Sequence, residues 1–289
     1  VVLSRGLGDV YKRQVQARRL CLGNLPGYEA LCLRREQLRP GPEQSKGMIL
    51  DGPALTTLDR NRWTQLDWCS ASTCGSRTLS LRLLPNQLVA VTGPSGCGKT
   101  TLLDQISGLQ EEEHSAWTIT CSGERWQLSG SAGARQLHAL MACAPQHAAL
   151  FEASLRDNLL LGHDLPDAMI ASWLHRLGLQ HLLDRPDGLD APMALAQSPF
   201  SGGEIHRLGL LRAWLRDRPV DVLDEPTAFL DALAAAQVRE VIQERSRQRL
   251  VLLSSHDPDL LRLADVVIDL GTVVAVSYTH LRAHETTPH

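Results

Sequence analysis

Two motifs in a fixed order constrain this chain more than any other feature. The first is GPSGCGKTT at Gly93–Thr101, which has the form G-x-x-x-x-G-K-[ST] of a loop that wraps phosphate groups. The second is FSGGE at Phe200–Glu204, a sequence that occurs in very few nucleotide-binding folds. The chain must therefore adopt one of the few nucleotide-binding folds that carry both motifs.

The residues around the first motif predict a strand, a turn and a helix. Gln87–Thr92 is an apolar, β-branched run typical of a buried strand, and Thr100–Ile106 is suited to open a helix. The turn must bring successive backbone N–H groups around an anion, which Cβ atoms would block. Three glycines of the turn remove those atoms: Gly93, Gly96 and Gly98.

The side chains of this loop complete a phosphate site. We expect Lys99 to reach the terminal phosphates and Thr100 to hold Mg²⁺ through its hydroxyl, while the helix N-terminus adds a favourable dipole. The residues expected to line the phosphates are Gly93, Pro94, Ser95, Gly96, Cys97, Gly98, Lys99, Thr100 and Thr101.

A second apolar run ends in two acids. Val220–Glu225 (VDVLDE) is typical of a buried strand. We expect Asp224 to lie beside Mg²⁺ and Glu225 to polarise the water that attacks the γ-phosphate. Two adjacent acids at a strand end are equally typical of a solvated turn, so the pair gains its meaning from the residues that follow.

Periodicity predicts further elements. Trp117–Leu128 alternates around a Ser-Gly turn, as a β-hairpin does. Helical patterns cover three segments, at Ser154–Leu161, Pro166–Leu177 and Ser201–Leu215. The chain therefore combines α and β elements, with a large α/β domain and a smaller helical lobe.

The two acids, followed by Pro226, Thr227 and Asp231 (DEPTAFLD), resemble the Walker B segment and D-loop of ATP-binding cassette (ABC) ATPases. The resemblance covers roughly Met48–Val274, with the major motifs in order. It implies a P-loop NTPase (RecA-like) α/β core, an antiparallel β subdomain, and an α-helical signature subdomain at about 147–215. It also implies ATP and Mg²⁺ as cofactors.

The same resemblance gives roles to residues outside the phosphate loop. Gln146 matches the Q-loop glutamine, which senses Mg²⁺ and attacking water, and His256 matches the switch histidine, which contacts the γ-phosphate. Asp231 matches the D-loop aspartate, which bridges two subunits. Trp68 lies near the position of the aromatic residue that stacks on adenine; Trp63 is its competitor, and either side chain is also suited to the core.

The signature motif implies a dimer. In this family the segment matched by Ser201, Gly202, Gly203 and Glu204 binds the ATP held by the opposite subunit. Its glycines allow close backbone approach, and its serine can donate to the γ-phosphate. Ser201 and Glu204 also fit a capping box, a role compatible with phosphate binding at the same helix start. The implied unit is a head-to-tail homodimer or heterodimer that closes on two ATP molecules.

Three classes of ABC ATPase remain open, and transport is favoured. A net charge of −3 gives no electrostatic case for nucleic acid as a partner. The segment between Gly93 and Ser201 leaves no room for the long coiled coil of SMC-type DNA-maintenance ATPases, and a single visible cassette disfavours translation factors. We expect the partner to be a transmembrane permease domain, fused upstream or separate, at the cytoplasmic face of the cell membrane.

The segment after the Q-loop points to export. FEASLRDNLLLG at Phe151–Gly162 resembles the corresponding segment of fused exporters, so we expect an exporter half. The alternative is the separate ATPase subunit of an importer. Met193–Gln197 departs from the exporter pattern, because it replaces an acidic, glycine-rich stretch.

The two ends of the chain show no helical or strand period. Ser4–Gln14 and Val276–Thr286 resemble translations of the two strands of a sequencing-library adapter. The sequence therefore predicts adapter-derived ends at 1–14 and 276–289, a linker or remnant of an upstream domain at 15–47, and the ABC ATPase domain at 48–275.

Overall fold

A computed structural model describes residues 63–73, 77–110, 115–121, 124–128, 130–193, 200–271 and 277–278. All of them belong to the compact unit Asp51–His289. The predicted segments 1–14 and 15–47 lie outside the described residues, as does nearly all of 276–289.

The described elements mix strands and helices along the chain. The strands are β1 (Trp63–Thr73), β2 (Arg77–Leu83), β3 (Leu88–Thr92), β4 (Ser115–Cys121), β5 (Glu124–Leu128), β6 (Met141–Ala144), β7 (Val220–Asp224), β8 (Leu250–Ser254), β9 (Val266–Asp269) and β10 (Ser277–Tyr278). The helices are α1 (Lys99–Ile106), α2 (Gly130–Leu140), α3 (Leu155–Leu160), α4 (Asp167–Arg176), α5 (Gly202–Trp214), α6 (Ala232–Ser246) and α7 (Pro258–Leu263), with 3₁₀ turns at Gln180–Asp184 and Gly188–Asp190.

A parallel sheet carries both predicted phosphate-site strands. Its order is β6-β7-β8-β3-β9, and every neighbouring pair is parallel. The strands β7 and β8 are buried along their whole length, as the apolar runs predict. Because parallel strands end at one edge of the sheet, the loop after β3 and the two acids at the end of β7 lie at that edge, with the end of β8 between them.

An antiparallel sheet forms a second layer. Its order is β10-β2-β1-β4-β5, with β10 parallel to β2 and the other pairs antiparallel. The pairing of β4 with β5 confirms the predicted hairpin at Trp117–Leu128. Leu66 and Trp68 on β1 turn inward and are 2% and 1% exposed, because every second side chain of a strand faces the same way.

The helical lobe packs on the other side of the parallel sheet. Its core contains leucines of α3, α4 and α5 together with Val251 and Leu253 of β8. The three predicted helical segments are confirmed as α3, α4 and α5. Ser154 and Ser201 each cap a helix through the side-chain oxygen, so local capping fixes where α3 and α5 begin. Among the described residues, no helix is long and apolar enough to cross a membrane.

Candidate nucleotide-binding site

The predicted phosphate loop connects β3 to α1. Gly93, Gly96 and Gly98 have φ angles of 142°, 80° and 97°, a region that side chains with a Cβ rarely adopt. A Cβ on Gly93 would also lie 2.8 Å from Cys97 Sγ, whereas one on either of the other two glycines would meet nothing within 4 Å. Crowding and backbone conformation therefore both require glycine at Gly93, and conformation alone requires it at the other two positions.

Lys99 lies inside this loop and is 8% exposed. Its Nζ donates to the carbonyl oxygens of Gly93 at 3.0 Å and Pro94 at 3.3 Å, and it lies 2.9 Å from Nε2 of His256. An ammonium group has donors only, so the His256 Nε2 accepts this hydrogen bond.

Asp224 ends β7 and is 7% exposed. One carboxylate oxygen accepts from the Thr100 hydroxyl at 2.8 Å, and the other accepts from the Ser254 hydroxyl. Hydroxyl and carboxylate oxygens are the hard ligands that Mg²⁺ prefers. The pair formed by Thr100 and Asp224 therefore suits a magnesium ion chemically.

Glu225 is held in a strained conformation next to Asp224. Its φ is 49°, and its backbone N–H lies 2.9 Å from the Ser254 hydroxyl and 3.2 Å from the Ser254 carbonyl, both of which accept. A non-glycine residue keeps such a φ only when its surroundings fix it. The Glu225 carboxylate accepts from the His256 backbone N–H at 3.3 Å and lies 3.5 Å from its Nε2. Contacts thus join Thr100, Asp224, Glu225, His256 and Lys99 in one cluster.

The residues that match the Q-loop, the signature and the D-loop lie together around a cavity. Gln146, Ser201–Gly203 and Asp231 line a cavity of about 580 Å³. His206 joins its walls, because its Nδ1 lies 3.1 Å from the Gln146 carbonyl oxygen and its Nε2 lies 3.0 Å from the Pro226 carbonyl oxygen. Burial lowers the pKa of His206, against the effect of these two carbonyl groups. The neutral ring donates to one of the two carbonyls at a time.

The signature motif begins α5 with the predicted capping box. The Ser201 hydroxyl accepts from the Glu204 N–H at 3.2 Å, and the Glu204 carboxylate accepts from the Ser201 N–H at 2.7 Å. Ser201 and Gly202 are exposed. Asp231 caps α6 in a similar way, accepting from the Ala234 N–H at 2.8 Å. The signature and D-loop are therefore both presented at helix starts.

The structure corrects the assignment of Trp68 to adenine stacking. Its side chain is 1% exposed and lies directly across the strand pair from Trp117, which is 2% exposed. The competitor Trp63 is 5% exposed. A ring whose faces are covered by the core cannot stack on a base. The adenine prediction for Trp68 is wrong, because β1 turns this position inward, and the alternative of a core residue is right.

Sequence reasoning missed the residues that hold the predicted ones in place. Ser254 contacts both acids, and it lies two residues before the predicted site residue His256. His206 lies two residues beyond the signature motif. His181 contacts Glu204 from a position 23 residues away, with Nε2 and Oε1 2.7 Å apart. No local pattern signals His181, because only tertiary structure brings these two residues together.

Comparison with known proteins places these features in a family. The model of the ABC transporter family matches residues 76–228. The glutathione/L-cysteine transport system ATP-binding/permease protein CydC of Escherichia coli is 32% identical over 72% of this chain and 35% of its own length. The mycobactin import ATP-binding/permease protein IrtB of Mycolicibacterium thermoresistibile is 34% identical over 68% of this chain and 34% of its own length.

A third relative is the beta-(1-->2)glucan export ATP-binding/permease protein NdvA of Brucella suis, 31% identical over 69% of this chain and 33% of its own length. The chain thus spans about a third of the length of these relatives. A solved structure of a bacterial Atm1-family ABC exporter with ATP bound has the same fold, with a TM-score of 0.62 and 21% identity. That match covers 78% of this chain and 40% of the other.

Proposed function

The chain belongs to the ABC transporter family, and on that premise we propose that it binds and hydrolyses ATP with Mg²⁺ to drive transport across a membrane. The observation that carries the proposal is a cluster in which His256 contacts Lys99 and Glu225, Thr100 contacts Asp224, and Ser254 contacts both acids. A structural turn would not need a buried lysine, a strained glutamate and a histidine at one sheet edge. The ATPase domain is proposed to span 48–275.

Each member of the cluster has a proposed task. Thr100 and Asp224 would hold Mg²⁺ with help from Gln146, and the ion would neutralise charge on the phosphates. Lys99 exchanges its carbonyl partners for phosphate oxygens, and the N–H groups of Gly93–Thr101 surround them. His256 positions the γ-phosphate through its ring.

Glu225 is the proposed general base. Its side chain is 13% exposed, and its carboxylate is oriented by the His256 backbone N–H. It accepts a proton from the attacking water, which makes the water a better nucleophile towards the γ-phosphate. The strained backbone at Glu225 supports this assignment, since strain of this kind clusters at sites of function.

The exposed signature supports a second subunit. Ser201 and Gly203 are proposed to contact the γ-phosphate held by the partner, with Asp231 bridging the interface. The relatives are named as ATP-binding/permease proteins, so a permease domain is the proposed second partner, with this domain at the cytoplasmic face. We propose no role in binding nucleic acid.

The proposed direction of transport is export, as one half of an exporter. The name of NdvA and the fold match to an exporter support this proposal. Import is the second candidate, because IrtB, at 34% identity, is named as an import protein. In both cases the permease domain would select the substrate.

A substitution at Glu225 tests the proposal. Glu225→Gln keeps the size of the side chain but removes the base, so it should abolish ATP turnover and trap an ATP-bound dimer in analytical ultracentrifugation. The matched control is Glu240→Gln, an exposed position on α6, which should leave turnover unchanged. Full turnover in the Glu225 variant would exclude this residue as the base. Unchanged ATP affinity in Lys99→Ala would count against the whole site.

A further inference from the structure

We propose that His181 is a positioning residue for the signature serine, and that it acts through Glu204. The inference rests on the proposed function, in which Ser201 meets the γ-phosphate held by the partner subunit. His181 belongs to no motif of the sequence. It lies in the 3₁₀ turn Gln180–Asp184, which the chain places beside the start of α5.

The two carboxylate oxygens of Glu204 have different partners. Oε2 accepts from the Ser201 N–H at 2.7 Å and from the Ser201 hydroxyl at 3.0 Å. Oε1 lies 2.7 Å from Nε2 of His181. The Glu204 side chain is 17% exposed, against 52% for His181. The helix cap thus fixes one end of the carboxylate, and His181 holds the other.

A carboxylate at this place opposes phosphate binding. Glu204 Oε2 lies 3.0 Å from the Ser201 hydroxyl, which is proposed to meet the γ-phosphate. A phosphate bound to that hydroxyl would lie close to the carboxylate, and the two negative charges would repel. Burial opposes ionisation of Glu204, but hydrogen bonds from the Ser201 amide and hydroxyl and from His181 outweigh it and lower the pKa. The carboxylate therefore stays charged at neutral pH. His181 donates a hydrogen bond to this carboxylate on the side away from Ser201.

The hydroxyl proton of Ser201 has two competing acceptors. Because Ser201 Oγ accepts from the Glu204 N–H, its own proton can go to Glu204 Oε2 or to a phosphate oxygen. A hydrogen bond from His181 to Oε1 draws electron density away from Oε2 and weakens it as an acceptor. His181 thereby favours donation of the Ser201 proton to phosphate.

The test measures ATP-driven dimerisation of the full chain in the Glu225→Gln background, by sedimentation with MgATP. His181→Ala should weaken the dimer between about twofold and twenty-five-fold, because two equivalent exposed pairs act in each dimer and each contributes between about 1.4-fold and fivefold. His181→Lys should restore most of the loss by supplying another N–H donor to Glu204 Oε1. His175→Ala, at an exposed position on α4, is the matched control and should change nothing.

A double-mutant cycle separates positioning from general stability. Glu204→Gln removes the carboxylate to which His181 donates, so His181→Ala should have no further effect in that background. ATP affinity of the monomer, measured with a fluorescent ATP analogue, should be the same in all His181 variants because the phosphate loop is untouched.

Two results would overturn the inference alone. One is a dimer that is indifferent to His181→Ala, and the other is an equal loss with and without the Glu204 charge. Absence of any ATP-driven dimer in the Glu225→Gln chain would overturn the proposed function and this inference with it.

Discussion

Asp221→Asn should destabilise the fold by about 3–5 kcal/mol without moving the residues of the site. The Asp221 side chain is 0% exposed on β7 and accepts two hydrogen bonds from the Arg245 guanidinium, at 2.6 and 2.9 Å. Arg245 is 7% exposed, and its guanidinium lies 5.7 and 5.8 Å from the ring centroids of Trp214 and Trp173. The substitution leaves this cation buried without a counter-charge.

The magnitude follows from the loss of the buried counter-charge. Removing one partner of a buried ion pair costs about 3–5 kcal/mol, and Asn keeps one acceptor oxygen but places an NH2 group against the second guanidinium N–H, so one hydrogen bond to a charged group, about 1.5–3 kcal/mol, is part of that cost. The nearby Arg249 places the expected loss of stability in the upper part of this range. Burial and the nearby Arg245 lower the pKa of Arg249, whereas Asp221 raises it, so Asp221 balances two guanidinium groups.

Urea unfolding of the full chain, monitored by tryptophan fluorescence, measures the change in the free energy of unfolding. The control Arg262→Ala breaks an exposed pair with Asp259 and should cost less than about 1 kcal/mol. The double variant Asp221→Leu with Arg245→Met should regain most of the loss, because a buried pair can be replaced by apolar side chains at little cost. A loss below about 1 kcal/mol for Asp221→Asn, or no recovery in the double variant, would refute the reasoning.

Two further predictions concern packing and pH. Gly209→Ala should lower the free energy of unfolding by about 1–3 kcal/mol in thermal unfolding, since the new Cβ would lie 2.3 Å from the Cβ of Ala148. The control Gly202→Ala, whose Cβ would meet nothing within 4 Å, should not lose this stability. Equal melting temperatures of the two variants would contradict the prediction. Burial opposes ionisation of Asp257, but hydrogen bonds, chiefly from Arg239, outweigh it and lower the pKa of Asp257 below the unfolded value of about 3.9. The contribution of Asp257 to stability is therefore complete above the unfolded pKa and is lost as the pH falls through the folded pKa. Asp257→Asn should therefore flatten the acid side of the stability curve, and an unchanged slope below about pH 4 would exclude this role.

Local sequence predicted the parts of the site whose geometry is local. The loop at Gly93–Thr101 needs glycine at three positions for backbone reasons that a short motif records in full. The acids Asp224 and Glu225 follow a buried apolar run, and parallel pairing brings any two strand ends to one edge. The hairpin and the three helical segments were predictable for the same reason, because their periods and caps lie within a few residues.

Features set by register or by distant contacts escaped prediction. Trp68 fits the position of an adenine-stacking residue by its spacing from Gly93. Whether its ring faces the core is decided by the alternation of side chains along β1, and the register of that alternation depends on pairing with β4. The ion pair of Asp221 with Arg245 joins two elements whose contact no motif announces. Such pairs become visible only when packing is known.

The central place of β8 has a consequence for how fast different parts of the site exchange with solvent. Every residue of β8 is buried, and Val251–Ser254 are paired with strands on both sides, so we expect their amide hydrogens to exchange only when most of the domain opens. Ser254, at its end, shares that protection with both acids. The signature serine stands on an exposed helix start, outside this protected centre. In the proposed dimer, adjustment during closure would therefore fall on the signature, while the residues proposed for hydrolysis would keep their arrangement.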